Sequence, residues 1–375
     1  MKVAFLIRSL EIGGAERQLV YLARGLKDSG TAVSIGVFYQ GGELEQLLES
    51  SGVDIIYLQK NGRWDIAGFL LRTWSWIKRE NPDVLHGYLP GANIVAVMMK
   101  PLFSNLHVVW GVRASNMLLE NYDKLAKLSF KLSVYLSRFT DLVIVNSNSG
   151  YDHHLKSGYK EKNMVVVHNG IDINLFKSDP IAGERQRAIW GIDTKLPLVG
   201  IVGRLDPMKG HRTFLQTVAK VRARNNSIQF ICVGYGSNKY LEELKGYANE
   251  LGVSEQVRWE DGQTNIESVY NALDVLISTS AFGEGFSNTL AEAMACGVCC
   301  IATSVGDAET ILSDYGVLVQ TGDSTALADG VLKMLEYEES EKNHHRKSSV
   351  NHIKNNFSIE KLVTSTLAVL ENRLK

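Results

Sequence analysis

The sequence predicts an α/β protein with two domains, each built on a parallel β-sheet covered by helices. The chain has 375 residues, which is more than one domain usually holds. Short apolar runs alternate with segments of helical period, which is the pattern of strand–helix–strand units in parallel sheets. The alternation stops near residue 171 and begins again at Pro197, so two separate sheets are expected.

The first half opens with an apolar run at residues 3–7, which predicts a buried strand and not a signal peptide. Further strands are predicted at 32–38, 54–58, 84–86, 108–110, 142–146 and 164–168. Segments of helical period lie between several of these strands, with clear examples at 15–28 and 92–103.

The second half repeats the pattern. Strands are predicted at 198–202, 228–233, 256–259, 275–278 and 298–302. Helices are predicted at 211–224, 240–251, 266–272 and 290–295. Residues 176–196 contain Pro180, Gly183 and Gly191 but no clear strand, so they are predicted to be a linker between domains 1–175 and 197–356.

The composition excludes several classes of protein. Apolar residues make up 45% and charged residues 22% of the chain, as in ordinary globular proteins. The formal net charge of −1 gives no argument for nucleic-acid binding, and no run approaches the roughly 18 apolar residues of a membrane helix. A reduced, cytoplasmic protein is expected because the cysteines lie in apolar surroundings without disulfide or metal spacing. They are Cys232, Cys296, Cys299 and Cys300.

The motif with the strongest chemical content lies at residues 282–294, after an apolar strand. Gly283 and Gly285 let the backbone turn sharply and approach a ligand closely. Residues 287–289 favour a helix start, where free N–H groups and the helix dipole bind phosphate. The three residues of this helix start are Ser287, Asn288 and Thr289.

Two carboxylates flank this turn. Glu284 stands just before it, and Glu292 lies eight residues later inside the predicted helix. Carboxylates accept hydrogen bonds from sugar and ribose hydroxyls. The pair is therefore predicted to bind the two ends of one ligand, and a strand–loop–helix unit with a solvated glutamate is the alternative.

A second motif, residues 200–210, places two cations in the loop after a predicted strand. Arg204 offers a planar fork and Lys209 a mobile point charge, and both suit the oxygens of a diphosphate. The loop follows the carboxyl end of a strand, which is where open α/β sheets bind ligands. The sequence predicts a diphosphate site here, with two solvated surface cations as the alternative.

The first half holds weaker candidates. Gly13 and Gly14 open a helix, so the backbone is able to approach a diphosphate or an acceptor. The loop lacks the full glycine fingerprint of dinucleotide-binding proteins. His86, at a strand end, is a candidate for sugar binding or proton movement, and a core histidine is the alternative. A polar segment after the strand at 108–110 supplies candidate acceptor-binding residues: Arg113, Asn116 and Tyr122.

The spacing Glu-Gly-Phe-x-Asn-x-x-x-Glu at residues 284–292 resembles the signature of glycosyltransferase family 4. Gly-Arg-Leu-x-x-x-Lys-Gly at 203–210, Asn-Gly-Ile-Asp at 169–172 and Gly-Gly-Ala-Glu at 13–16 fit the same family in the same order. The match covers nearly the whole chain. The resemblance implies the GT-B fold, in which two Rossmann-like domains face each other across a cleft. It also implies that a hexose is transferred with retention of configuration and without a metal ion.

The resemblance assigns roles to the motif residues. Arg204 and Lys209 bind the donor diphosphate and supply the charge that a metal ion supplies in other transferases, so no cofactor is expected. Glu292 holds the nucleotide ribose, and Glu284 lies beside the transferred sugar. The predicted donor site comprises Gly13, Gly14, Arg204, Lys209, Gly285, Phe286, Ser287, Asn288, Thr289 and Glu292. The catalytic candidates are Arg204, Lys209, Glu284 and His86.

The chain departs from the family pattern in two places. Many relatives carry His-x-His at the strand end where this chain has His86 and Tyr88. Asp307 replaces a glycine in a loop similar to the family's Gly-Gly-x-x-Glu. The final helix, residues 357–375, is expected to pack back on the first domain, as in the family.

The predicted partners are a nucleotide-sugar, with UDP-sugars favoured over GDP-sugars, and a lipid-linked or glycan acceptor. Residues 124–139 form a basic amphipathic pattern without acids, and Trp74 and Trp76 add residues typical of membrane interfaces. The protein is therefore predicted to dock peripherally on the anionic inner face of the cytoplasmic membrane. The alternative is a solvated helix with a buried apolar side.

Two other functions remain open from the sequence. A nucleotide-sugar epimerase on the same fold would consume the donor without an acceptor. A non-catalytic nucleotide-sugar-binding protein would bind the donor without turnover. The presence of both cations and both glutamates in one chain favours the transferase.

Overall fold

The computed structural model describes residues 1–49, 51–62, 64–113 and 124–374. The chain forms two compact units. Unit 1 consists of Met1–Gly170 together with Ile359–Lys375, and unit 2 consists of Ile171–Ser358.

The described part of unit 1 contains a seven-stranded sheet in which all pairs are parallel. Its strands are β1 (Lys2–Ile7), β2 (Ala32–Val37), β3 (Asp54–Tyr57), β4 (Val84–Tyr88), β5 (His107–Val112), β6 (Leu142–Val145) and β7 (Met164–Val166). The spatial order is β3-β2-β1-β4-β5-β6-β7. The central strands are covered on both faces, so residues Val3 to Ile7 are all fully buried, as expected for a parallel sheet.

Helices connect these strands. They are α1 (Gly14–Asp28), α2 (Gln46–Glu49), α3 (Ile66–Glu80), α4 (Pro90–Met99), α5 (Lys124–Leu136) and α6 (Asn148–Lys156). Helix α1 buries Leu19, Leu22 and Leu26 at helical spacing in the core of unit 1. Its length and register agree closely with the segment predicted from the sequence.

Unit 2 contains six parallel strands in the order β10-β9-β8-β11-β12-β13. They are β8 (Leu198–Val202), β9 (Gln229–Val233), β10 (Val257–Glu260), β11 (Val275–Ser278), β12 (Cys299–Thr303) and β13 (Val317–Val319). The helices are α7 (Pro180–Trp190), α8 (His211–Arg222), α9 (Asn238–Glu250), α10 (Ile266–Ala272), α11 (Asn288–Ala295), α12 (Ala308–Leu312), α13 (Ser324–Glu336) and α14 (Glu339–Phe357).

The last helix, α15 (Ile359–Arg373), belongs to unit 1 and packs on α1. The contact is close, because a Cβ added at Gly25 would lie 2.3 Å from a methyl carbon of Val363. Leu362 and Leu370 of this helix are buried in the core of unit 1.

The segment assigned to a linker, residues 176–196, forms part of unit 2 in the structure. It contains helix α7, whose Trp190 is 2% exposed and joins the core cluster of the unit. Arg187 of the same helix donates to a carboxylate oxygen of Asp274 at 2.7 Å. A proline and a glycine mark the ends of α7: Pro180 occupies its first turn, and Gly191 has a positive φ at its end.

Two further differences concern single elements. Strand β13 is absent from the predicted set, which ends at β12. Trp76, predicted to face a membrane interface, is 2% exposed and packs in the core of unit 1, so that part of the prediction is wrong. Trp74 is half-buried beneath the Lys78 ammonium, which lies 5.0 Å from its ring centroid. In the part of the chain that the structure describes, no helix has the length and apolar character needed to span a bilayer.

Candidate functional site

The predicted diphosphate loop lies at the carboxyl end of β8, in the middle of the unit 2 sheet. Asp206 caps the turn by accepting a hydrogen bond from the Met208 N–H at 2.9 Å. Gly210 has φ +67°, and a Cβ there would lie 1.9 Å from the carbonyl oxygen of Thr279. Only glycine fits this position, which brings the loop against the end of β11.

Three hydrogen bonds hold the loop against the segment after β11. The Thr279 hydroxyl donates to the Lys209 carbonyl at 2.9 Å, and the Ala281 N–H donates to the Met208 carbonyl at 2.7 Å. The Lys209 ammonium donates to Oε2 of Glu284 at 2.7 Å. The structure therefore brings two residues of the two predicted motifs into direct contact.

Glu284 is held from two sides. The Ser280 hydroxyl donates to the same carboxylate oxygen at 3.0 Å. The side chains of Lys209 and Glu284 are only 18% and 11% exposed. Opposite charges at this distance and burial stabilise each other, so the pair forms a fixed, nearly neutral unit at the edge of the sheet.

Arg204 differs from Lys209 in exposure. Its side chain is 56% exposed, and Nη2 lies 3.3 Å from Asp206. An exposed pair of this kind contributes little to stability, so the guanidinium is available to an incoming anion.

The turn that carries Glu284 packs against a second loop. Gly283 has φ +73°, and a Cβ at Gly306 would lie 2.4 Å from the Gly285 carbonyl oxygen. The Asp307 N–H donates to that same oxygen at 2.9 Å. Asp307, which departs from the family pattern, is buried at the start of α12, and Glu309 in the first turn is exposed.

Helix α11 begins next to this turn, with Ser287 as its N-cap residue. The Ser287 side chain forms no capping bond, and its buried hydroxyl has no hydrogen-bond partner within the described ranges. In other helices the first-turn N–H groups donate to a capping side-chain oxygen, and Ser287 does not supply one here. Phe286 is buried against Phe357, with ring centroids 5.2 Å apart.

Glu292 lies on the second turn of α11 and is 6% exposed. The Tyr270 hydroxyl, from α10, donates to its Oε2 at 2.7 Å. Burial, together with the Glu292 carboxylate, raises the pKa of Tyr270 well above its ordinary value, so the hydroxyl stays a donor. Sequence reasoning missed Tyr270, because a tyrosine on an apolar helix face gives no signal of its polar partner.

In unit 1, Gly13 precedes α1 in an extended conformation with φ −156°. This conformation suits any residue, so no turn requires glycine there. Glu16, one turn into α1, has a raised pKa caused mainly by burial. Gly14 is the first residue of the helix.

His86 lies within β4 and is fully buried. Neither ring nitrogen has a hydrogen-bond partner in the described ranges. Burial, with a smaller effect of the Arg113 charge, lowers the pKa of His86 to about 3. The imidazole is therefore neutral near pH 7.

Arg113 follows β5, and its guanidinium carbon lies 4.3 Å from the centroid of the Tyr88 ring. Its Nη1 donates to Asn169 Oδ1 at 3.1 Å. Tyr88, which stands where relatives carry a second histidine, is thus a platform for a cation. Asn116 and Tyr122, the other two predicted acceptor residues, lie outside the described residues.

No group of three or more His, Cys, Asp or Glu side chains in the described ranges is arranged to hold a metal ion. All four cysteines are free; Cys299 is partly exposed and the other three are buried. Burial raises the pKa of the Cys232 thiol to about 12, as expected for an unreactive core cysteine.

Comparison with known proteins agrees with this architecture. Residues 12–175 match the family described as Glycosyltransferase Family 4, and residues 183–349 match Glycosyl transferases group 1. The D-inositol 3-phosphate glycosyltransferases of Mycolicibacterium smegmatis and Corynebacterium jeikeium are 31% and 32% identical over 180 and 208 residues. These alignments cover 46% and 52% of this chain. The chain spans less than half of these relatives' length, 40% and 49%.

Solved structures show the same fold over the whole chain. Anabaena HepE in complex with UDP-glucose superposes with a TM-score of 0.85 at 24% identity, covering 99% of this chain and 100% of that one. The lipopolysaccharide outer core galactosyltransferase WaaB gives a TM-score of 0.73 at 18% identity, covering 99% and 100%.

Two parallel-sheet Rossmann-like units with charged loops at the carboxyl end of a sheet define the GT-B class of glycosyltransferases. Within that class, the two matched segments together span nearly the whole chain. The chain belongs to glycosyltransferase family 4, and the family predicted from the sequence motifs is confirmed.

Proposed function

We propose that the protein is a retaining glycosyltransferase that moves a hexose from a UDP-sugar to a hydroxyl of a lipid-linked glycan, in the assembly of a surface polysaccharide or lipopolysaccharide. The observation that carries the proposal is the Lys209–Glu284 pair beside the start of α11, with Glu292 buried in that helix. The UDP and UDP-glucose complexes of the structurally similar Anabaena protein favour a uridine donor.

The donor diphosphate is bound by the cations at the end of β8. The Arg204 side chain is largely exposed. The Lys209 ammonium is instead held in place by the Glu284 carboxylate, which is only 11% exposed. When the diphosphate binds, the Lys209 ammonium donates hydrogen bonds to the phosphate oxygens as well. Glu284 is then able to accept a hydrogen bond from a sugar hydroxyl. The two roles are coupled by one 2.7 Å contact.

Glu292 receives the nucleotide ribose. The Tyr270 hydroxyl donates a hydrogen bond to Oε2 of Glu292, and this bond fixes the orientation of the carboxylate. Ribose hydroxyls donate hydrogen bonds to the fixed carboxylate, which selects a nucleoside before the sugar is positioned. Tyr270 is a positioning residue in this scheme.

The transfer needs no protein nucleophile. The acceptor oxygen attacks the anomeric carbon from the face that the diphosphate leaves, and the bond between that carbon and the diphosphate oxygen breaks. The acceptor proton passes to a departing phosphate oxygen. Arg204 and Lys209 stabilise the growing charge on the diphosphate. His86 is fully buried and neutral near pH 7, so it is not the acid in this scheme.

Titration calorimetry with UDP, GDP and ADP tests donor binding. We expect UDP to bind, and Arg204→Ala and Glu292→Ala to weaken binding at least about tenfold, which is about 1.4 kcal/mol. Lys239→Ala, which removes an 88% exposed cation of unit 2, is the control and retains the parent affinity. If folded protein binds none of the three, or both site variants bind UDP as the parent does, the donor site is misassigned.

The stereochemistry is tested with UDP-α-glucose and water as acceptor. Proton NMR distinguishes the two anomers of glucose before they equilibrate. Retention predicts that the α anomer appears first. First appearance of the β anomer would contradict a retaining mechanism and leave donor binding untouched.

Docking on a membrane is supported by the surface of α5. Leu128, Leu132 and Tyr135 are 63%, 44% and 53% exposed and lie at successive helical turns. The exposed cations Lys131 and Arg138 flank this stripe. Large exposed apolar side chains between cations suit the interface of an anionic bilayer, and Phe139, 49% exposed, continues the stripe.

Flotation with phosphatidylglycerol and phosphatidylcholine vesicles at low salt tests this surface. We expect binding to the anionic vesicles only, and its loss in Leu128→Ser/Leu132→Ser. Ile189→Ser, which removes a 74% exposed apolar side chain of unit 2, is the control. Parent protein that ignores both vesicles would remove the membrane from the proposed function.

A further inference from the structure

The carboxyl end of the unit 1 sheet contains an arginine whose hydrogen-bonding capacity is only partly used. Of the three guanidinium nitrogens of Arg113, Nη1 donates to Asn169. The other two, Nε and Nη2, are closed to solvent and have no hydrogen-bond partner among the residues that the structure describes. Buried donors without partners cost free energy, so this position favours a ligand that accepts from both.

The orientation of the guanidinium is fixed by two neighbours. Asn169, itself 4% exposed, accepts the bond from Nη1. The ring of Tyr88, fully buried, lies against the guanidinium face at 4.3 Å, which is a cation–π contact. These contacts use Nη1 and one face of the guanidinium. The edge formed by Nε–H and Nη2–H makes no hydrogen bond to the described residues.

That free edge has a specific chemical meaning. The N–H bonds of Nε and Nη2 run parallel, at the spacing of two oxygens on one carboxylate or phosphate. A single hydroxyl or carbonyl would satisfy only one of them. Among the described residues no carboxylate forms an ion pair with Arg113, whereas Arg204 pairs with Asp206 and Lys209 with Glu284.

Burial makes the missing partner more significant. Desolvation lowers the pKa of Arg113, and the nearby Tyr88 hydroxyl opposes the effect, although that hydroxyl does not meet hydrogen-bond geometry with Nε or Nη2; an arginine remains charged in proteins. The residue as a whole is partly exposed, while Nε and Nη2 themselves are closed to solvent, so a ligand reaches them only after a side-chain movement beside Arg113. A buried charge that is neither paired nor fully hydrogen-bonded is costly unless a ligand completes it.

We propose that Arg113 binds a two-oxygen anion, a phosphate or carboxylate, carried by the acceptor. The inference rests on the proposed transferase function and narrows it, because the acceptor is then an acidic molecule and not a neutral sugar. The donor diphosphate already has its own cations, Arg204 and Lys209, in unit 2. Asn169 and Tyr88 act as positioning residues for Arg113.

Inorganic phosphate is the probe for the first experiment. It is titrated into the full chain carrying Arg204→Ala/Lys209→Ala, so that the donor cations do not contribute. We expect millimolar binding that falls at least tenfold when Arg113→Gln is added. Arg113→Lys, which keeps the charge and loses the fork, is expected to fall between the two. Arg138→Gln, which removes an exposed arginine stacked on Tyr135, is the control and retains the parental binding.

Circular dichroism and the melting temperature show whether each variant is folded. Asn169→Ala gives a second route to the same answer, since it frees the guanidinium to rotate without removing it. Phosphate binding that is unchanged in both Arg113→Gln and Asn169→Ala would overturn the proposal.

Titration with UDP-glucose shows whether the anion bound by Arg113 belongs to the acceptor or to the donor diphosphate. We expect the affinity of Arg113→Gln for UDP-glucose to stay within about threefold of the parent, on an otherwise unmodified chain. A loss as large as that of phosphate would assign the fork to the donor diphosphate and overturn an acidic acceptor. Failure of the parent to bind UDP-glucose at all would instead reject the proposed donor site, while the phosphate result would still stand.

Discussion

The two units share one architecture but differ in how the main charged groups at the edge of the sheet are hydrogen-bonded. At the carboxyl edge of the unit 2 sheet, Lys209 pairs with Glu284, and Tyr270 donates to Glu292. At the corresponding edge of unit 1, His86 and Arg113 hold buried nitrogens without hydrogen-bond partners in the described ranges. The carboxylates of unit 2 are thus hydrogen-bonded before a ligand arrives, although the buried Ser287 hydroxyl is not, whereas Arg113 in unit 1 keeps two donors for the proposed ligand.

The difference teaches how each unit responds to substitution. Breaking a buried pair leaves a charge uncompensated and costs both stability and function. Replacing His86 breaks no hydrogen bond, and replacing Arg113 breaks only its bond to Asn169 and its contact with the Tyr88 ring, so a smaller loss of stability is expected. Function and stability should therefore change together in unit 2 and separately in unit 1.

The largest effect is expected for Lys209→Met. It removes a cation from the leaving group and leaves the Glu284 carboxylate, only 11% exposed, without its ion-pair partner. We expect kcat/KM for UDP-glucose consumption to fall about 100- to 1,000-fold, the usual effect of one electrostatic group at a transition state. The double variant Lys209→Met/Glu284→Gln should regain stability in urea unfolding but not activity. Full activity in Lys209→Met would break the comparison.

Next in size is Gly210→Ala, which tests the backbone that carries Lys209. The new Cβ would lie 1.9 Å from the Thr279 carbonyl at a positive φ, so we expect a loss of about 2–4 kcal/mol in the free energy of unfolding. Gly246→Ala is the matched control. It lies on α9 with no atom within 4 Å of the added Cβ, and it should stabilise by roughly 0.5–1 kcal/mol.

A smaller effect is expected from acid. Burial lowers the pKa of His86 to about 3 and that of His154 to about 4 in unit 1. In unit 2 it lowers the pKa of His211 to about 4. Unfolded histidines bind a proton near pH 6.5. Below that pH the unfolded state takes up more protons than the native state, so the free energy of unfolding falls as pH falls, down to pH 4–3.

The slope is about 1.4 kcal/mol per pH unit for each such histidine. Urea unfolding at pH 7 and pH 5 should show a smaller loss in His86→Phe than in the parent. His344→Phe, at an exposed position on α14, should leave the loss unchanged. An equal loss in parent and His86→Phe would show that His86 is not buried as a neutral ring.

The smallest effect is expected for Tyr270→Phe. The ring stays in the core, but the hydrogen bond to Glu292 Oε2 is lost. We expect a destabilisation of about 1–2 kcal/mol and a rise in KM for UDP-glucose larger than any fall in kcat. A fall in kcat alone would mean that Tyr270 does more than orient Glu292.

The sequence was sufficient for the fold because parallel strands are buried on both faces and appear as continuous apolar runs. It was insufficient where burial was partial. Strand β13 has only three residues, of which Val317 and Leu318 are half-buried, too short a run to separate from a loop. The wrong expectation for Trp76 has a related cause, since tryptophan suits both a core and a membrane interface.

The candidate site was predictable as a set of residues but not as a set of contacts. Glycine and charge spacing locate Arg204, Lys209 and Glu284 at strand ends. The contact between Lys209 and Glu284 joins residues 75 positions apart, and the sequence alone does not determine which cation reaches which acid. The unused pair of N–H donors on Arg113 was likewise not predictable from the sequence. It depends on which guanidinium nitrogens contact Asn169 and Tyr88 in the folded protein.

The path of the chain through unit 2 makes that unit a removable module. The chain enters at Ile171 and leaves at Ser358, and these residues form a parallel bridge, with the Ile171 N–H donating to the Phe357 carbonyl at 2.7 Å. On the other side of the junction, a Cβ at Gly170 would lie 2.9 Å from the Cα of Ile359. We therefore expect that residues 171–358 can be excised as one segment and that a short linker from Gly170 to Ile359 would leave unit 1 folded.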